Sequence, residues 1–443
     1  MKRVIFVLIC FSLSTVLKAQ EAVKDYKPRS IEILEFLKKK EFGKVTEQFD
    51  TSVSRRLDST KLATVWLRMV GAIGSVQRVD SISTDHQATY DVVIQHCVFE
   101  KKKIDFKLVY GTNEKIKGLF FLPVDQKQHY ELPPYNKPEV YEEKNFPIMS
   151  GEYTLPGILT MPKGSGRYPV LILIHGSGPN DKDESVGATK IFKDIAIGLA
   201  GQGIAVLRYD KRSRVAGKKM ADMMKTMTTK EETTEDVLAA IATVKKEIRV
   251  DTNQIFLLGH SLGGMMLPRI NSNLKGMKGL IYLAANSRPL EELFYKQAEH
   301  ILSVDGLSSV NQHTLDSIHT EMEKVKKLKP ENAKDTGMIL RLPYSYWVDL
   351  NGYNPVKAAA GDKTPMLFLQ GGRDYQVTGE DLTGWENGLK SKKNARFKTY
   401  PKLNHFFIEG EGVSTPAEYA QKGNVASSVI DDIASWIQLG QIK

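Results

Sequence analysis

The alternation of apolar and polar positions divides the chain into two regions of different periodicity. The first region extends from residue 21 to about residue 124. Apolar residues have helical spacing at 29–40 and 60–70, and short strand-like apolar runs follow. These runs are rich in Val, Ile, Phe and Tyr, are separated by charged or Gly/Asn breaks, and lie at 76–82, 89–99, 104–110 and 116–122. Helices followed by strands predict a small α+β domain over 21–124.

The second region follows a proline-containing segment at 125–144 that we interpret as a linker. From 145 to 443, strand-like apolar runs alternate with helical stretches. The strand-like runs lie at 146–149, 153–161, 169–174, 204–209, 254–258, 279–283, 366–370 and 396–400, and helical stretches include 188–202, 234–248 and 262–274. The sequence Thr233-Thr234-Glu235-Asp236 predicts an N-terminal cap on helix 234–248. This alternation predicts an α/β domain with a doubly wound, mostly parallel sheet.

One long segment, between residues 286 and 364, departs from this alternation. Its apolar residues mark one face of each of two helices: Leu290, Phe294, Ile301 and Val304, then Leu315, Ile318, Met322 and Val325. An insertion of this size between two strands predicts a helical cap over about 287–364. The aromatic residues at 342–347 either line an acyl or aryl pocket or pack the cap onto the sheet, and the pattern favours neither alternative.

The first twenty residues are typical of a secretory signal. A basic start is followed by the mostly apolar residues 4–17 and by a small residue at Ala19. We predict a signal peptide over 1–20 and an exported product, periplasmic or secreted, without a stable membrane anchor. Because Lys2, Arg3 and Lys18 leave with the signal and no acid does, the formal net charge falls from +10 to +7.

The remaining positive charge lies in short runs such as 38–40 and 101–103, without interleaved aromatic residues. We interpret these runs as solvated surface and expect no nucleic-acid partner. Cys97 is the one cysteine left after cleavage, which excludes an intrachain disulfide, and its strand-like surroundings favour a small core residue over a reactive thiol. We predict no metal and no cofactor. The sequence gives no indication of oligomeric state.

The most informative stretch is 255–264, an apolar run that ends in Gly259-His260-Ser261-Leu262-Gly263-Gly264. A serine on a sharp strand-to-helix turn requires small residues two positions before and after it, as Gly259 and Gly263 are. The turn exposes the Ser261 hydroxyl and places the Leu262 N–H at the start of the next helix, where it can stabilise an oxyanion. We therefore predict that Ser261 is a nucleophile and that Leu262 contributes to an oxyanion hole.

A serine nucleophile needs a histidine to take its proton and a carboxylate to orient that histidine. Asp374 follows strand 366–370, and His405 follows strand 396–400. Active sites of parallel sheets lie beyond the carboxyl ends of the strands, so we predict Asp374 as the carboxylate and His405 as the base. Asp349 and Glu409 are the alternatives for the carboxylate.

Two further loops follow strand ends. In His175-Gly176-Ser177-Gly178-Pro179 the glycines let the backbone approach a substrate, so we expect the N–H of Ser177, or failing that of Gly176, as the second oxyanion donor. We interpret His175 as a structural residue that braces this loop. For residues 208–212, Arg-Tyr-Asp-Lys-Arg, a salt-bridged turn is favoured over contact with an anionic substrate.

Taken together, these motifs resemble the α/β-hydrolase superfamily, and within it secreted bacterial serine esterases with an extra N-terminal domain of unknown function. The resemblance covers about residue 141 to the C-terminus and rests on HGSGP at 175–179, RYDKR at 208–212, GHSLGG at 259–264, GGRD at 371–374 and NHFF at 404–407. One departure is Ser213, where the family pattern continues with Gly. The resemblance implies a carboxylesterase that cleaves small-molecule esters.

Two other hypotheses remain. A peptidase or an acyltransferase would use the same Ser261, Asp374 and His405 with a different leaving group or acceptor. A non-catalytic binding protein on this fold is expected to lack one of the three residues, and all three are present.

Overall fold

A computed structural model describes residues 25–55, 57–87, 90–123, 130–304, 306–307 and 309–442 of the protein. The signal peptide predicted over 1–20 lies outside these residues. The chain forms two compact units, Met1–Gln126 and Lys127–Lys443. Within the described ranges, no helix is both long and apolar enough to cross a membrane.

The first unit has the predicted order of helices and then strands. Its elements are α1 (Lys27–Lys38), α2 (Phe42–Thr46), α3 (Thr51–Ser54), α4 (Ser59–Ile73), β1 (Val76–Gln87), β2 (Tyr90–Phe99), β3 (Lys103–Tyr110) and β4 (Ile116–Pro123). The antiparallel sheet has the order β1-β2-β3-β4, and residues such as Leu34, Trp66 and Phe106 form its core with the helices. Cys97 is buried there, and burial raises the pKa of its thiol to about 11, as befits a core residue.

The second unit contains a sheet of eight strands in the order β18-β17-β14-β13-β9-β12-β8-β5. From β18 to β12, neighbouring strands pair in parallel. Strand β8 pairs antiparallel with β12, and β5 pairs antiparallel with β8. The strands of the unit are β5 (Tyr141–Asn145), β6 (Ile148–Ser150), β7 (Tyr153–Leu155), β8 (Gly157–Pro162), β9 (Tyr168–Ile174), β10 (Ser185–Val186), β11 (Thr189–Lys190), β12 (Ala205–Tyr209), β13 (Val250–His260), β14 (Gly279–Leu283), β15 (Met338–Ile339), β16 (Leu342–Pro343), β17 (Met366–Gly371) and β18 (Ala395–Tyr400). The predicted mostly parallel sheet is confirmed.

Helices cover both faces of this sheet. The helices of the unit are α5 (Ile191–Ala200), α6 (Arg212–Val215), α7 (Met220–Met223), α8 (Glu235–Val244), α9 (Leu262–Ser272), α10 (Leu290–Ser303), α11 (Ser309–Lys326), α12 (Tyr344–Asn351), α13 (Pro355–Ala360), α14 (Gly379–Leu389) and α15 (Ser427–Leu439), with short 3₁₀ turns at Gly217–Lys219, Pro330–Lys334 and Pro416–Ala420. Alternate residues of β9 enter two different cores: Ile172 packs with α8 and α9, and Leu171 packs with α5 and α15. Burial on both faces explains why the strands are almost continuously apolar.

The C-terminal end of the linker predicted over 125–144 is a strand in the structure. Residues Tyr141–Asn145 form the edge strand β5, which pairs with β8 in the register Tyr141 to Pro162 and Asn145 to Ile158. Its sequence, YEEKN, carries no apolar alternation because most of the strand is exposed. Hydrophobic periodicity cannot reveal such an edge strand.

The N-terminal cap predicted at residues 233–236 is wrong. A π-helical turn, Lys230–Thr234, leads directly into α8, so Thr234 already has helical φ and ψ of −63° and −46° and caps nothing with its side chain. The Asp236 carboxylate instead accepts hydrogen bonds from Arg212 and from the Ser150 hydroxyl. Tertiary contacts have replaced the local capping interaction.

Four helices, α10 to α13, form the predicted insertion between β14 and β17. The aromatic residues of α12 pack the cap onto the sheet: Tyr346 and Trp347 are 1% and 0% exposed and belong to the sheet core, and Trp347 Nε1 donates to the carbonyl oxygen of Ile339. On α10 the predicted apolar face is incomplete, because Ile301 and Val304 are exposed.

Candidate active site

Ser261 lies on a strained turn between β13 and α9. Its φ of 52° and ψ of −120° are unfavourable for a residue with a side chain. A Cβ at Gly259 would lie 2.3 Å from the carbonyl oxygen of Gly263, and a Cβ at Gly263 would lie 2.4 Å from that of Ile174. Both glycines are therefore sterically required, as the sequence predicted for a nucleophile on this type of turn.

His405 and Asp374 lie on the loops after β18 and β17 and contact each other. His405 Nδ1 is 2.7 Å from Asp374 Oδ2, and both residues are buried. Asp374 Oδ1 accepts the backbone N–H groups of Gln376 and Val377 at 2.8 and 2.9 Å, which fixes the carboxylate. Because Asp374 accepts the Nδ1 proton, the opposite nitrogen, Nε2, is left able to accept one.

The two alternative carboxylates have other partners. Asp349 pairs with Arg269 at 2.9 Å and accepts the Thr229 hydroxyl. Glu409 is exposed and faces Lys402 at 3.7 Å. Among the described residues, Asp374 is thus the one carboxylate that contacts the His405 side chain.

His260, the residue before the predicted nucleophile, contacts the predicted base, His405. His260 Nε2 donates to the carbonyl oxygen of His405 at 3.1 Å, and the two imidazole rings lie 4.6 Å apart. This contact places the turn that carries Ser261 against the loop that carries His405. The Ser261 hydroxyl makes no hydrogen bond to any residue that the structure describes.

The loop after β9 leaves one amide available. The Gly176 N–H donates to Glu184 Oε1 at 2.7 Å, and the Gly178 N–H donates to Glu232 Oε1 at 3.2 Å. Ser177, between them, is exposed, and its N–H has no acceptor among the described residues. A Cβ at Gly176 would lie 3.3 Å from Ser261 Cβ, so this loop lies against the predicted nucleophile. Of the two alternatives for the second oxyanion donor, the geometry therefore favours Ser177.

Leu262 is the first residue of α9. Its N–H belongs to the first turn of the helix, where backbone N–H groups have no intrahelical acceptor. The positive end of the helix adds to the attraction for an anion. The predicted pair of donors, Leu262 and Ser177, is thus structurally possible.

A buried ion pair near the predicted nucleophile could not be predicted from the sequence. Glu184 and His260 are 2% and 1% exposed, and Glu184 Oε2 lies 3.2 Å from His260 Nδ1. Neither atom has a well-formed hydrogen bond, so the attraction between them is mainly Coulombic. Burial alone would raise the pKa of Glu184 and lower that of His260. Their mutual attraction, together with the hydrogen bonds that Glu184 accepts from the Gly176 N–H and that His260 donates to the His405 carbonyl oxygen, outweighs burial, so the pKa of Glu184 is lowered and that of His260 is raised.

His175 is buried against Phe192 and Tyr209, with its ring 5.0 and 5.4 Å from theirs. Its Nε2 lies 3.0 Å from the carbonyl oxygen of Asp181. Burial lowers the pKa of His175 to about 4, so the ring is neutral at neutral pH. These contacts fit the predicted structural role in bracing the loop.

Residues 208–212 form buried ion pairs. Arg208, 1% exposed, bonds to Asp183 and Glu143, and Arg212 bonds to Asp236. Lys211 Nζ lies 2.7 Å from both Glu232 Oε1 and the carbonyl oxygen of Gly176. These contacts match the salt-bridged turn and give Arg208 no exposed surface for an anionic substrate.

No group of three or more His, Cys, Asp or Glu residues in the described part of the chain could hold a metal ion.

Comparison with known families gives two matches. Residues 170–411 match the family described as serine aminopeptidase, S33, and residues 30–119 match a domain described as a protein of unknown function. The second match covers most of the extra N-terminal domain.

A curated protein, esterase EstD of Thermotoga maritima, is 37% identical over 404 residues, which cover 91% of this chain and 93% of that protein. Among solved structures, an esterase of Pyrococcus furiosus is 15% identical with a TM-score of 0.40, covering 60% of this chain and 84% of its own. Est1E of Butyrivibrio proteoclasticus is 20% identical with a TM-score of 0.39, covering 59% and 90%.

Proposed function

Because this chain belongs to the serine aminopeptidase (S33) family of α/β-hydrolases and is a hydrolase, we propose that it cleaves a carboxylic ester through an acyl-enzyme on Ser261. The observation that carries this proposal is the 2.7 Å contact between His405 Nδ1 and Asp374 Oδ2, beside a serine on a strained turn. A histidine oriented by a buried carboxylate can remove the proton from a serine hydroxyl.

In the first half of the reaction, His405 Nε2 takes the Ser261 proton while Oγ attacks the ester carbonyl carbon. The N–H groups of Leu262 and Ser177 stabilise the resulting oxyanion. The tetrahedral intermediate then collapses. The bond between the former carbonyl carbon and the alkoxy oxygen breaks, and His405 gives its proton to that oxygen. The alcohol departs, and the acyl group remains on Ser261 as the acyl-enzyme.

In the second half, a water molecule gives a proton to His405 Nε2 and attacks the acyl carbon. The second intermediate collapses, the bond to Ser261 Oγ breaks, and the proton returns to that oxygen. The carboxylic acid leaves. Asp374 stays ionised throughout and stabilises the imidazolium form of His405.

An ester is the preferred substrate class because the Thermotoga maritima relative, similar over nearly the whole of both chains, is named an esterase. The alternative is a peptidase or acyltransferase, since the family description names an aminopeptidase. Comparing the turnover of an ester and an amide that carry the same short acyl group separates these functions. We expect measurable turnover of the ester and little of the amide, whereas preferential cleavage of the amide would overturn the ester assignment. Dependence of the rate on an added alcohol acceptor would indicate acyl transfer.

Export is also part of the proposal, and it is supported by the basic start and apolar run of residues 1–20. Expressed in a bacterial host, the chain should appear in the periplasm or medium with its N-terminus near residue 21. Intact-mass measurement and N-terminal sequencing test this. A cytoplasmic product that retains Met1 or Lys2 would contradict it.

A further inference from the structure

The carbonyl group of Gly176 and the N–H of Ser177 belong to one peptide unit. A trans peptide is planar, and its C=O and N–H point in opposite directions. Lys211 Nζ donates to the Gly176 oxygen at 2.7 Å, from a side chain that is 2% exposed. Fixing that oxygen therefore also fixes the direction of the Ser177 N–H.

The ammonium group has a second effect on this peptide. It draws electron density toward the Gly176 oxygen, which leaves the Ser177 hydrogen more positive and a stronger donor to an oxyanion. The low exposure of Lys211 protects this contact from water. Lys211 can therefore both orient and polarise the predicted oxyanion donor without touching the substrate.

Lys211 is itself held by a carboxylate that reaches the cap. Glu232 Oε1 accepts from Lys211 Nζ at 2.7 Å and from the Gly178 N–H at 3.2 Å. Its other oxygen, Oε2, accepts the Tyr346 hydroxyl at 2.5 Å. Tyr346 lies on cap helix α12, and Glu232 lies in the π-helical turn Lys230–Thr234, a feature often found at functional sites.

We propose that Lys211 is a positioning residue for the oxyanion hole, and that Tyr346 of the cap holds it in place through Glu232. This inference rests on the proposed serine mechanism. It gives the cap a catalytic consequence: a cap seated with its Tyr346 hydroxyl on Glu232 fixes the donor loop, and loss of that hydrogen bond loosens it.

The test compares two hydrogen-bonded tyrosine hydroxyls of the cap region, those of Tyr346 and Tyr353. Tyr346→Phe removes the bond to Glu232 and keeps the ring. Tyr353→Phe is the matched control, because the Tyr353 hydroxyl bonds to backbone atoms of Met265 and Arg269 on α9 and not to the donor loop. A third variant, Lys211→Met/Glu232→Gln, removes both charges together so that neither is left buried without its partner.

Each protein is titrated with a fluorophosphonate to count reactive Ser261, and kcat and KM for a short-chain p-nitrophenyl ester are then measured per reactive site. We expect kcat to fall about tenfold in Tyr346→Phe and about 100-fold in the double variant, with KM little changed. Tyr353→Phe should stay within about twofold of the wild type. Affinity for a boronic acid that forms a tetrahedral adduct should fall in parallel with kcat.

Folding defects lower the number of reactive sites but not kcat per site, so they do not imitate the expected result. Wild-type kcat per site in the double variant, or equal losses in Tyr346→Phe and Tyr353→Phe, would overturn the proposal. Failure of the serine mechanism gives a different result, because the wild type would then not react at Ser261 at all.

Discussion

His260, the residue before the predicted nucleophile, donates a hydrogen bond to the carbonyl oxygen of His405, the predicted base, at 3.1 Å. The other nitrogen of His260 faces Glu184 Oε2 at 3.2 Å, and Glu184 Oε1 holds the Gly176 N–H at 2.7 Å. One buried ion pair thus connects the turn that carries Ser261, the loop that carries His405 and the loop that carries Ser177.

Replacing Glu184 should change how stability depends on pH. The pKa of His260 is raised in the folded protein. The stabilisation that comes from its protonated form is therefore fully present below its unfolded pKa of about 6.5 and is lost as pH rises through the higher folded pKa. In Glu184→Gln the partner charge is gone, and this alkaline loss, at most about 1.4 kcal/mol per pH unit for one proton, should disappear. Urea unfolding between pH 6 and 9 measures it. Parallel curves for the two proteins would show that the pair does not set the titration of His260.

The glycines of the turn should not tolerate even one methyl group. In Gly263→Ala the new Cβ would meet the carbonyl oxygens of Ile174 and His175 at 2.4 and 2.6 Å. We expect a loss of about 1–3 kcal/mol of stability and a lower kcat, because relief of the clash moves Ser261. Gly379→Ala, which meets no atom within 4 Å, is the control and should leave both unchanged. Wild-type activity in Gly263→Ala would mean that the close approach of strand and helix is not required.

Removing the charge of Asp374 should reduce catalysis without unfolding the protein. Asp374→Asn can still bond to neighbours but no longer favours the His405 tautomer with a proton on Nδ1, and kcat should fall by a factor on the order of 10³ to 10⁴. Steady-state kinetics on a short-chain ester, with circular dichroism as a check of folding, measures the effect. Glu409→Gln, at an exposed carboxylate beside Lys402, should behave like the wild type. Intact activity in Asp374→Asn would remove Asp374 from the triad.

The first unit contains a Ser–His–Asp hydrogen-bond chain that does not include Ser261. Ser83 Oγ lies 3.2 Å from His96 Nε2, and His96 Nδ1 lies 2.6 Å from Asp105 Oδ1. Ser83 lies within strand β1 on an exposed surface, without the helix N-terminus that follows Ser261. Because a hydrogen-bonded base without oxyanion donors gives little activation, we expect no fluorophosphonate on Ser83 in peptide mapping. Labelling of Ser83 would show that the hydrogen-bond chain alone is sufficient.

The sequence was most informative where a function depends on neighbouring residues. The turn at Ser261 is recognisable because its steric needs fall on Gly259 and Gly263, and the positions of Asp374 and His405 follow from the ends of the strands before them. Contacts between distant polar residues give no such signal. Glu184 lies in an ordinary polar loop, and nothing in the chain pairs it with His260, or Glu232 with Lys211.

Elements of the fold show the same limit. The edge strand Tyr141–Asn145 is mostly exposed and therefore lacks an apolar pattern. At Thr234, sequence favours a cap, but tertiary contacts of Asp236 with Arg212 and Ser150 stabilise a continuous π-to-α helix instead. On the cap, the same aromatic pattern suits a pocket or a core, and the burial of Trp347 resolves that choice.

The central claim is that Ser261 is the nucleophile, and the most direct measurement combines fluorophosphonate labelling with ester turnover in Ser261→Ala. We expect stoichiometric labelling of Ser261 in the wild type, none in the variant, and a fall in kcat by a factor on the order of 10⁴ to 10⁶. A variant that keeps its activity to within about tenfold, or a label on another residue, would contradict it.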